Sequence, residues 1–510
     1  MSDNSANNKR IAKNTLMLYI RMLLVMAVTL YTSRVILQSL GIVDYGLYNV
    51  IGGMTLMFGF FQSSLSNATQ RYLNVELGRN DHEGVNRIFS LSQLIYFAMS
   101  VLVVIVAEII GLWFIYNKLT IPPDRLDAAL WVFHTTVISL FFTLNGIVYN
   151  SMLIANENMK AYAYLGIIEV VLKLLIAFAL FYSPFDRLKL YSVLFLLVTL
   201  SVQSFYAATC LRKYKEAHFH FYWNKNIFRE MFAFMGWNTI GTAAWALNHQ
   251  GINILFNIFF GPVVNAANGI ASQVNSAVTK FSMNFYTAVQ PQIVKSYAAG
   301  DYDYFRSLIY NSSRYSFYLM WLLCLPIMLR IDYILELWLG NVPESTNQFV
   351  IWTLIYSLIY TLTTPFWIAI QAVGNLKKYI LWGNAVYLLA FPISFLFLKL
   401  NFSAVTALQV LATTRLLYLI VTISITNKFI SVDIKQYIQK TIFPIIQITT
   451  ISYILSFVSN KIFPQTFWGT LIIGFSTLLY IAFSIYTLGI TKQERNTITS
   501  YIKKKINKQI

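Results

Sequence analysis

The chain has 510 residues, of which 57% are hydrophobic and only 11% charged. A soluble domain carries about 25% charged residues, so an ordinary cytosolic or secreted globular protein is excluded. The apolar share, about 290 residues, supplies on the order of 14 spans at roughly 20 residues each.

In chain order, a polar N-terminus (1–14) with Lys9, Arg10 and Lys13 precedes an apolar run from Leu16 to Leu37. That run is too long for a signal-peptide core, and no small-residue cleavage site follows it, so it reads as an uncleaved first span. Charges and turn residues divide the rest of the apolar sequence, predicting fourteen spans in all: 15–38, 47–67, 88–116, 128–153, 161–182, 190–211, 232–259, 266–289, 306–329, 346–371, 379–398, 404–427, 441–460 and 467–489. They group into an N-lobe of six spans (15–211), a cytoplasmic linker (212–231), a C-lobe of six (232–427), a C-terminal pair (428–489) and a basic tail (490–510). The predicted fold class is an all-α integral membrane protein, with two six-helix lobes in parallel pseudo-repeat around a central cavity plus two C-terminal helices.

The net charge is +18. In a soluble protein that excess would point to nucleic acid; here its distribution gives another meaning. With an even number of spans, 25 basic residues fall on the side of the termini and 7 on the other, the remaining 6 lying inside spans. Lys and Arg accumulate in cytoplasmic loops, so both termini are expected in the cytoplasm. The lysines of the tail (Lys503, Lys504, Lys505, Lys508) read as a solvated positive-inside segment, with anionic lipid binding as the alternative. Cys210 and Cys324 sit in apolar stretches and form no metal or CxxC pattern.

A weak internal repeat supports the two-lobe grouping. Asn14-Thr15 opens the first span and Asn238-Thr239 lies near the start of the seventh; each span ends at a glycine, Gly41 and Gly261. The following spans end in Ala68-Thr69-Gln70-Arg71-Tyr72 and Ala288-Val289-Gln290-Pro291-Gln292, and continue to Gly78-Arg79-Asn80-Asp81 and Ala299-Gly300-Asp301. The offsets run from 220 to 224 residues. Six spans separate the copies, which gives both halves one orientation and suits alternating access around a cavity.

Charges inside the spans mark candidate functional residues, because a charge near mid-bilayer costs roughly 2.5–3.5 kcal/mol on insertion scales. The bases are Arg21, Arg34, Lys173, Lys280, Arg314 and Arg415; the acids are only Glu108 and Glu169. A cavity with more bases than acids suits an anionic substrate, and guanidinium forks suit phosphate oxygens. Snorkelling to an interface is the alternative, strongest for Arg34 and Arg314 near span ends. Glu169 and Lys173 are spaced i, i+4 on one helix face. They form either a neutralising pair or a coupling site, in which Glu169 takes up H+ or Na+ and frees Lys173. Asn248, His249, Gln250 and Asn253 make the seventh span polar. They form either a hydrated, sugar-contacting wall or hydrogen bonds between helices.

Other chemistry is missing from the sequence. No G-x-x-x-x-G-K-[ST] loop encodes nucleotide hydrolysis, and no H-E-x-x-H, paired Cys/His or calcium-loop pattern appears. No outer loop exceeds roughly 16 residues, and the cytoplasmic loops are too short for a catalytic domain. No enzyme activity and no cofactor is expected beyond a coupling ion.

Lys13-Asn14-Thr15, the turn Leu40-Gly41-Ile42-Val43-Asp44-Tyr45-Gly46-Leu47-Tyr48, and Gln70-Arg71-Tyr72 resemble the polysaccharide transporters of the multidrug/oligosaccharidyl-lipid/polysaccharide exporter superfamily. The resemblance extends to length, span count and the two-lobe repeat. It implies a flippase for undecaprenyl-diphosphate-linked oligosaccharide repeat units in the bacterial inner membrane, serving O-antigen, capsule or exopolysaccharide assembly. Its partners would be the lipid-linked oligosaccharide, membrane lipids, and the polymerase and glycosyltransferases of the pathway. The related lipid II flippases carry arginines in span 1, near the end of span 2 and in span 8; Arg21, Arg71 and Lys280 occupy roughly those places, with Lys at the last. The implied mechanism is alternating access, with Arg21, Lys280 and Arg415 on the diphosphate and the lipid tail left in the bilayer. A cation-coupled multidrug exporter of this fold predicts acids in the cavity. A membrane polymerase predicts a large outer loop. A non-transporting scaffold leaves the buried charges unexplained.

Overall fold

The structure, a computed structural model, describes residues 2–156, 158–373, 383, 385–430, 432–491 and 494–496. The side chains of 2–22, 55–56, 59–61, 63–64, 67, 71, 159, 233–245, 284, 287–288, 291, 298 and 428–430 lie outside that description. Every regular element among the described residues is a helix. Hydrocarbon offers no water to unpaired backbone groups, and a helix satisfies them within one segment. The helices are α1 (Ser2–Leu56), α2 (Gly59–Gly78), α3 (His82–Asn117), α4 (Leu126–Ala155), α5 (Met159–Phe181), α6 (Arg187–Lys213), α7 (Lys225–Phe260) and α8 (Pro262–Ala298). They continue as α9 (Tyr302–Leu329), α10 (Ile331–Leu339), α11 (Thr346–Val373), α12 (Ala390–Lys399), α13 (Ala404–Ile430), α14 (Phe443–Ile462) and α15 (Phe467–Ser484).

Among the described residues, nine helices are long and apolar enough to cross a membrane, or ten if α9 and α10, bent by 80° at Arg330, form one span. The protein is thus a multi-pass membrane protein of all-helical fold. The shortfall from fourteen has local causes. Expected span 47–67 is divided, because α1 runs on to Leu56 and α2 begins at Gly59. Amides and hydroxyls interrupt the apolar runs of α7 and α8. Expected span 379–398 falls partly outside the described residues and continues as the shorter apolar helix Ala385–Lys399. The sequence does not announce α10, whose nine residues lie in an expected outer loop.

The internal repeat has a backbone signature. Gly41 kinks α1 at φ 80°, ψ 170°; Gly261 ends α7 at φ 77°, ψ −174°. Both adopt the left-handed φ that glycine tolerates without a Cβ clash. Two hundred and twenty residues also separate the positive-φ residues Asn80 and Gly300, and the caps Asp81 and Asp301 that follow them. Asp81 accepts from the Gly84 amide and Asp301 from the Tyr304 amide, starting α3 and α9 in the same way.

Contacts divide the chain into two compact units, Met1–Gly269 and Ile270–Ile510. In the first, α1 packs on α5, α4 on α6 and α3, and α2 on α4. Helix α7, expected in the C-lobe beyond a boundary at 212–231, packs on α1 and α2 within this unit. In the second unit, α11 packs on α9 and α13, and α14 on α15.

Glycine governs the packing of α1 beyond its kink. A Cβ on Gly46 would sit 1.8 Å from the Pro262 carbonyl oxygen, and one on Gly53 would meet Gln250 Oε1 at 2.5 Å. A Cβ on Gly52 meets nothing within 4 Å. Gly46→Ala is therefore expected to lower stability by about 1–3 kcal/mol, the usual effect of overpacking, while Gly52→Ala is neutral. Thermal unfolding of the two variants in detergent checks this; equal midpoints would contradict the close approach.

Candidate functional site

The first unit encloses a cavity of about 450 Å³. Its polar wall includes Asn49 from α1, Thr143 and Asn150 from α4, Glu169 and Lys173 from α5, and Gln203 from α6. Hydroxyls and amides at this density can hold water. Lys173 Nζ donates to Glu169 Oε1 at 2.6 Å, and each side chain is about one-third exposed (35% and 36%). The ammonium also lies 5.1 Å from the centroid of Phe195. The helical spacing places acid and base in one polar cavity. Chemically, the pair can exchange a proton or cation at Glu169 against release of Lys173.

The other buried charges have different environments. Arg415 was expected to offer its guanidinium to a cavity. Instead it is 6% exposed, with its guanidinium carbon 4.5 Å and 4.6 Å from the ring centroids of Tyr360 and Tyr418 and 5.6 Å and 5.9 Å from those of Tyr387 and Tyr356. Nη2 donates to Thr363 Oγ1 at 2.7 Å. Four ring faces replace the missing carboxylate, each attracting the cation through its quadrupole. Tyrosines 356 and 360 are one helical turn apart on α11, a spacing that would have flagged half of this cage.

Arg314, a candidate for the diphosphate or for snorkelling, is paired in the structure. It is 3% exposed and its Nη2 donates to Glu494 Oε1 at 2.7 Å; the same oxygen accepts from Tyr315 Oη at 2.5 Å. Burial pushes the Glu494 carboxyl up. The Tyr315 hydroxyl, the Thr491 amide and the Arg314 charge pull it further down, so it titrates below its ordinary range. This acid lies beyond the last span, which is why a tally of acids within spans left Arg314 unpaired.

Lys280 is half-buried on α8, with no ion pair or hydrogen bond among the described residues. Arg34 is half-buried on α1. The side chains of Arg21 and Arg71 lie outside the described residues.

On α7, Asn253 takes part in helix packing. Asn253 Nδ2 donates to the Asn49 carbonyl at 3.2 Å. Its own Oδ1 accepts from Asn265 at 2.9 Å and Asn268 at 3.0 Å. Asn253 and Asn248 are buried, Asn248 at 0% exposure, while His249 and Gln250 are half-buried. Of the two readings of this polar stretch, the hydrogen bonds of Asn253 fit the interhelical one.

Sequence reasoning missed a charge cluster at one end of this unit. Arg125 Nε donates to Asp44 Oδ1 at 2.8 Å and Nη1 to Asp186 Oδ2 at 2.6 Å. Asp44 follows the Gly41 kink, Arg125 ends a turn before α4, and Asp186 caps α6 through the amides of Leu188 and Lys189. Nothing in the spacing of 44, 125 and 186 announces the trio, since two helical hairpins intervene.

Known proteins resemble this chain in sequence and in fold. The model of the family described as "polysaccharide biosynthesis protein" matches residues 9–297, more than half of the chain. The chain belongs to the polysaccharide biosynthesis protein family. Solved structures extend the likeness in fold. A lipid II flippase, MurJ, in an inward closed conformation aligns with TM-score 0.70 at 13% identity, over 93% of this chain and 99% of that one. A multidrug resistance MATE family transporter aligns in an inward-facing conformation with TM-score 0.64 at 15% identity, over 79% of this chain and 94% of that one. An outward-facing conformation of such a transporter aligns with TM-score 0.58 at 15% identity, over 82% of this chain and 96% of that one. A search of curated proteins finds no match.

Two charged sites of this polysaccharide biosynthesis protein have measurable consequences. Arg415→Ala removes the cation from a buried cage of neutral rings and is expected to cost about 2 kcal/mol or more. Arg415→Lys should recover little of it, because an ammonium cannot stack as a planar guanidinium does. Thermal unfolding in detergent measures both. At the Arg125 cluster, burial raises Asp186, but the Arg125 hydrogen bond and the α6 amides lower it further, for a net depression. A carboxyl depressed in the folded state lends stability above its unfolded pKa and loses it as pH falls through the folded value. Stability should therefore fall below the ordinary carboxylate range, and the fall should be smaller in Asp186→Asn.

Proposed function

We propose that the chain is a flippase for undecaprenyl-diphosphate-linked oligosaccharide repeat units, moving them from the cytoplasmic to the periplasmic leaflet of the bacterial inner membrane. The observation that carries this reading is membership of the polysaccharide biosynthesis family in a chain whose fold matches a lipid II flippase over 93% of its length. The product would enter O-antigen, capsular or exopolysaccharide assembly, alongside a polymerase and glycosyltransferases. The distribution of basic residues, 25 against 7, supports cytoplasmic termini.

Alternating access gives each charged group a role. Lys280 is the proposed diphosphate contact of the second unit, since an ammonium with no carboxylate partner among the described residues is available for phosphate oxygens. Arg21 and Arg71 are the candidates of the first. Glu169 is the proposed coupling group: taking up H+ or Na+ weakens its hold on Lys173 and changes the charge of the cavity wall. No bond of the substrate is made or broken, so the chain acts as a transporter rather than an enzyme.

The multidrug reading draws support from the MATE likeness, a likeness of fold. Cells distinguish the two. In a strain lacking the native copy, Lys280→Ala is expected to cut surface polysaccharide on the order of tenfold, as loss of a charge-assisted hydrogen bond of roughly 1.5–3 kcal/mol implies. Lipid-linked repeat units should accumulate on the cytoplasmic side. Unchanged polysaccharide with altered drug resistance would favour the exporter. Glu169→Gln should abolish ion dependence; full ion-dependent transport in that variant would remove Glu169 from the mechanism.

A further inference from the structure

The outer face of the first unit carries a second concavity, separate in lining from the polar cavity. It has a volume of about 350 Å³ and is lined by Leu165 and Ile168 of α5 and by Phe205, Ala208, Thr209 and Arg212 of α6. On α6 these are positions i, i+3, i+4 and i+7, a single helical stripe. Phe205 is 45% exposed and Ile168 39%, so the stripe faces outward from the unit. The polar cavity has a separate lining: its Gln203 lies on another face of α6, and its Glu169 stands one turn along α5 from Leu165.

Charge in this groove is confined to one end. Arg212 stands at its mouth, followed by Lys213 on α6, while Lys160 begins the neighbouring α5. The two helix ends adjoin, since Asn158 Nδ2 donates to Tyr214 Oη at 3.3 Å. Among the described residues no carboxylate pairs with Lys160, Arg212 or Lys213. Tyr164 is half-exposed, with Lys160 Nζ 5.9 Å from its ring centroid, an aromatic and a base placed as at a membrane interface. At 1.5 Å per residue, Ile168 lies about 12 Å along α5 from Lys160, and Phe205 about 10 Å along α6 from Arg212. The groove thus descends from a cationic rim into an apolar floor.

We infer that this groove is a binding site for an anionic glycerophospholipid. The headgroup phosphate meets Arg212, with Lys160 and Lys213 at the rim, and an acyl chain lies on Leu165, Ile168, Phe205 and Ala208. The complementarity is of both kinds a phospholipid needs, a phosphate-binding guanidinium and an apolar trough continuous with hydrocarbon. Basic pockets between transmembrane helices hold anionic headgroups on the same grounds. A zwitterionic lipid satisfies the trough equally but brings its own cation to a cationic rim. Because α5 and α6 separate this groove from the Glu169–Lys173 chamber, an occupied groove braces the wall on which that pair stands. The chemistry of the groove is independent of what the transporter carries.

Native mass spectrometry of the full-length protein tests it, using detergent micelles that hold equal amounts of phosphatidylglycerol and phosphatidylcholine with identical chains. The protein is expected to retain phosphatidylglycerol preferentially. Arg212→Gln, an exposed position outside the packed interior, should reduce that retention roughly fivefold, the effect of one basic residue at a membrane surface. Ala208→Trp fills the trough while leaving Arg212 in place and should reduce it as well. Equal retention of the two lipids by the unsubstituted protein would overturn the inference, as would undiminished phosphatidylglycerol retention in Arg212→Gln. Displacement of phosphatidylglycerol by undecaprenyl phosphate, with sensitivity to both substitutions, would reassign the groove to an isoprenoid lipid and overturn it too.

Discussion

A charge within hydrocarbon is stabilised by a counterpart, and among the described residues four bases find counterparts of different kinds. Lys173 uses a carboxylate one turn away on its own helix. Arg314 uses Glu494, an acid brought from beyond the last span. Arg415 uses tyrosine rings and a threonine hydroxyl. Arg330, at the end of α9, donates to the carbonyls of Phe463 and Pro464 just past α14, where a helix leaves its last carbonyls unpaired. Lys280 differs from all of these. It is half-buried on α8 and has no partner among the described residues.

The same constraint explains the scarcity of acids in the spans. Many aspartates work at helix starts, where the N-terminal amides and the helix dipole favour a carboxylate. Asp81, Asp186, Asp301 and Asp433 each accept a hydrogen bond from a first-turn amide. Asp186 combines this task with its ion pair to Arg125, so one carboxylate both starts α6 and ties it to the turn before α4. Through Asp44 the same arginine reaches the segment just beyond the Gly41 kink. A conformational change at that kink therefore has to move, or break, a charged junction.

Much of the fold was legible because its causes are periodic and local. Apolar runs mark α3, α4, α5, α6, α11, α14 and α15 close to their observed limits. The glycines at 41 and 261 and the aspartates at 81 and 301 mark a repeat that the backbone reproduces. Less legible were features set by tertiary contact. The hydrogen bonds of Asn253 to Asn49, Asn265 and Asn268 look, in sequence, like the polarity of a hydrated wall. The tyrosine cage of Arg415 draws on positions 356, 360, 387 and 418, and a count of acids does not register rings. The division between compact units falls within α8, at Gly269. Close packing of α1 depends on Gly46 against the start of α8 and on Gly53 against α7, glycines whose missing side chains carry no hydropathy signal.

Family and fold together define a multi-pass membrane protein of the polysaccharide biosynthesis family whose fold is similar to that of a lipid II flippase. The proposed substrate adds a diphosphate, a sugar and an isoprenoid tail to that frame, and the polar cavity lined by Glu169 and Lys173 is the proposed place for coupling. The most direct measurement is translocation itself. The purified protein would be reconstituted in liposomes carrying undecaprenyl-diphosphate-linked oligosaccharide, and the sugar exposed in each leaflet followed by an enzyme confined to one side. The account predicts that the protein carries the lipid-linked sugar between leaflets. Liposomes in which the sugar stays in its original leaflet, while a cationic dye is moved, would contradict it.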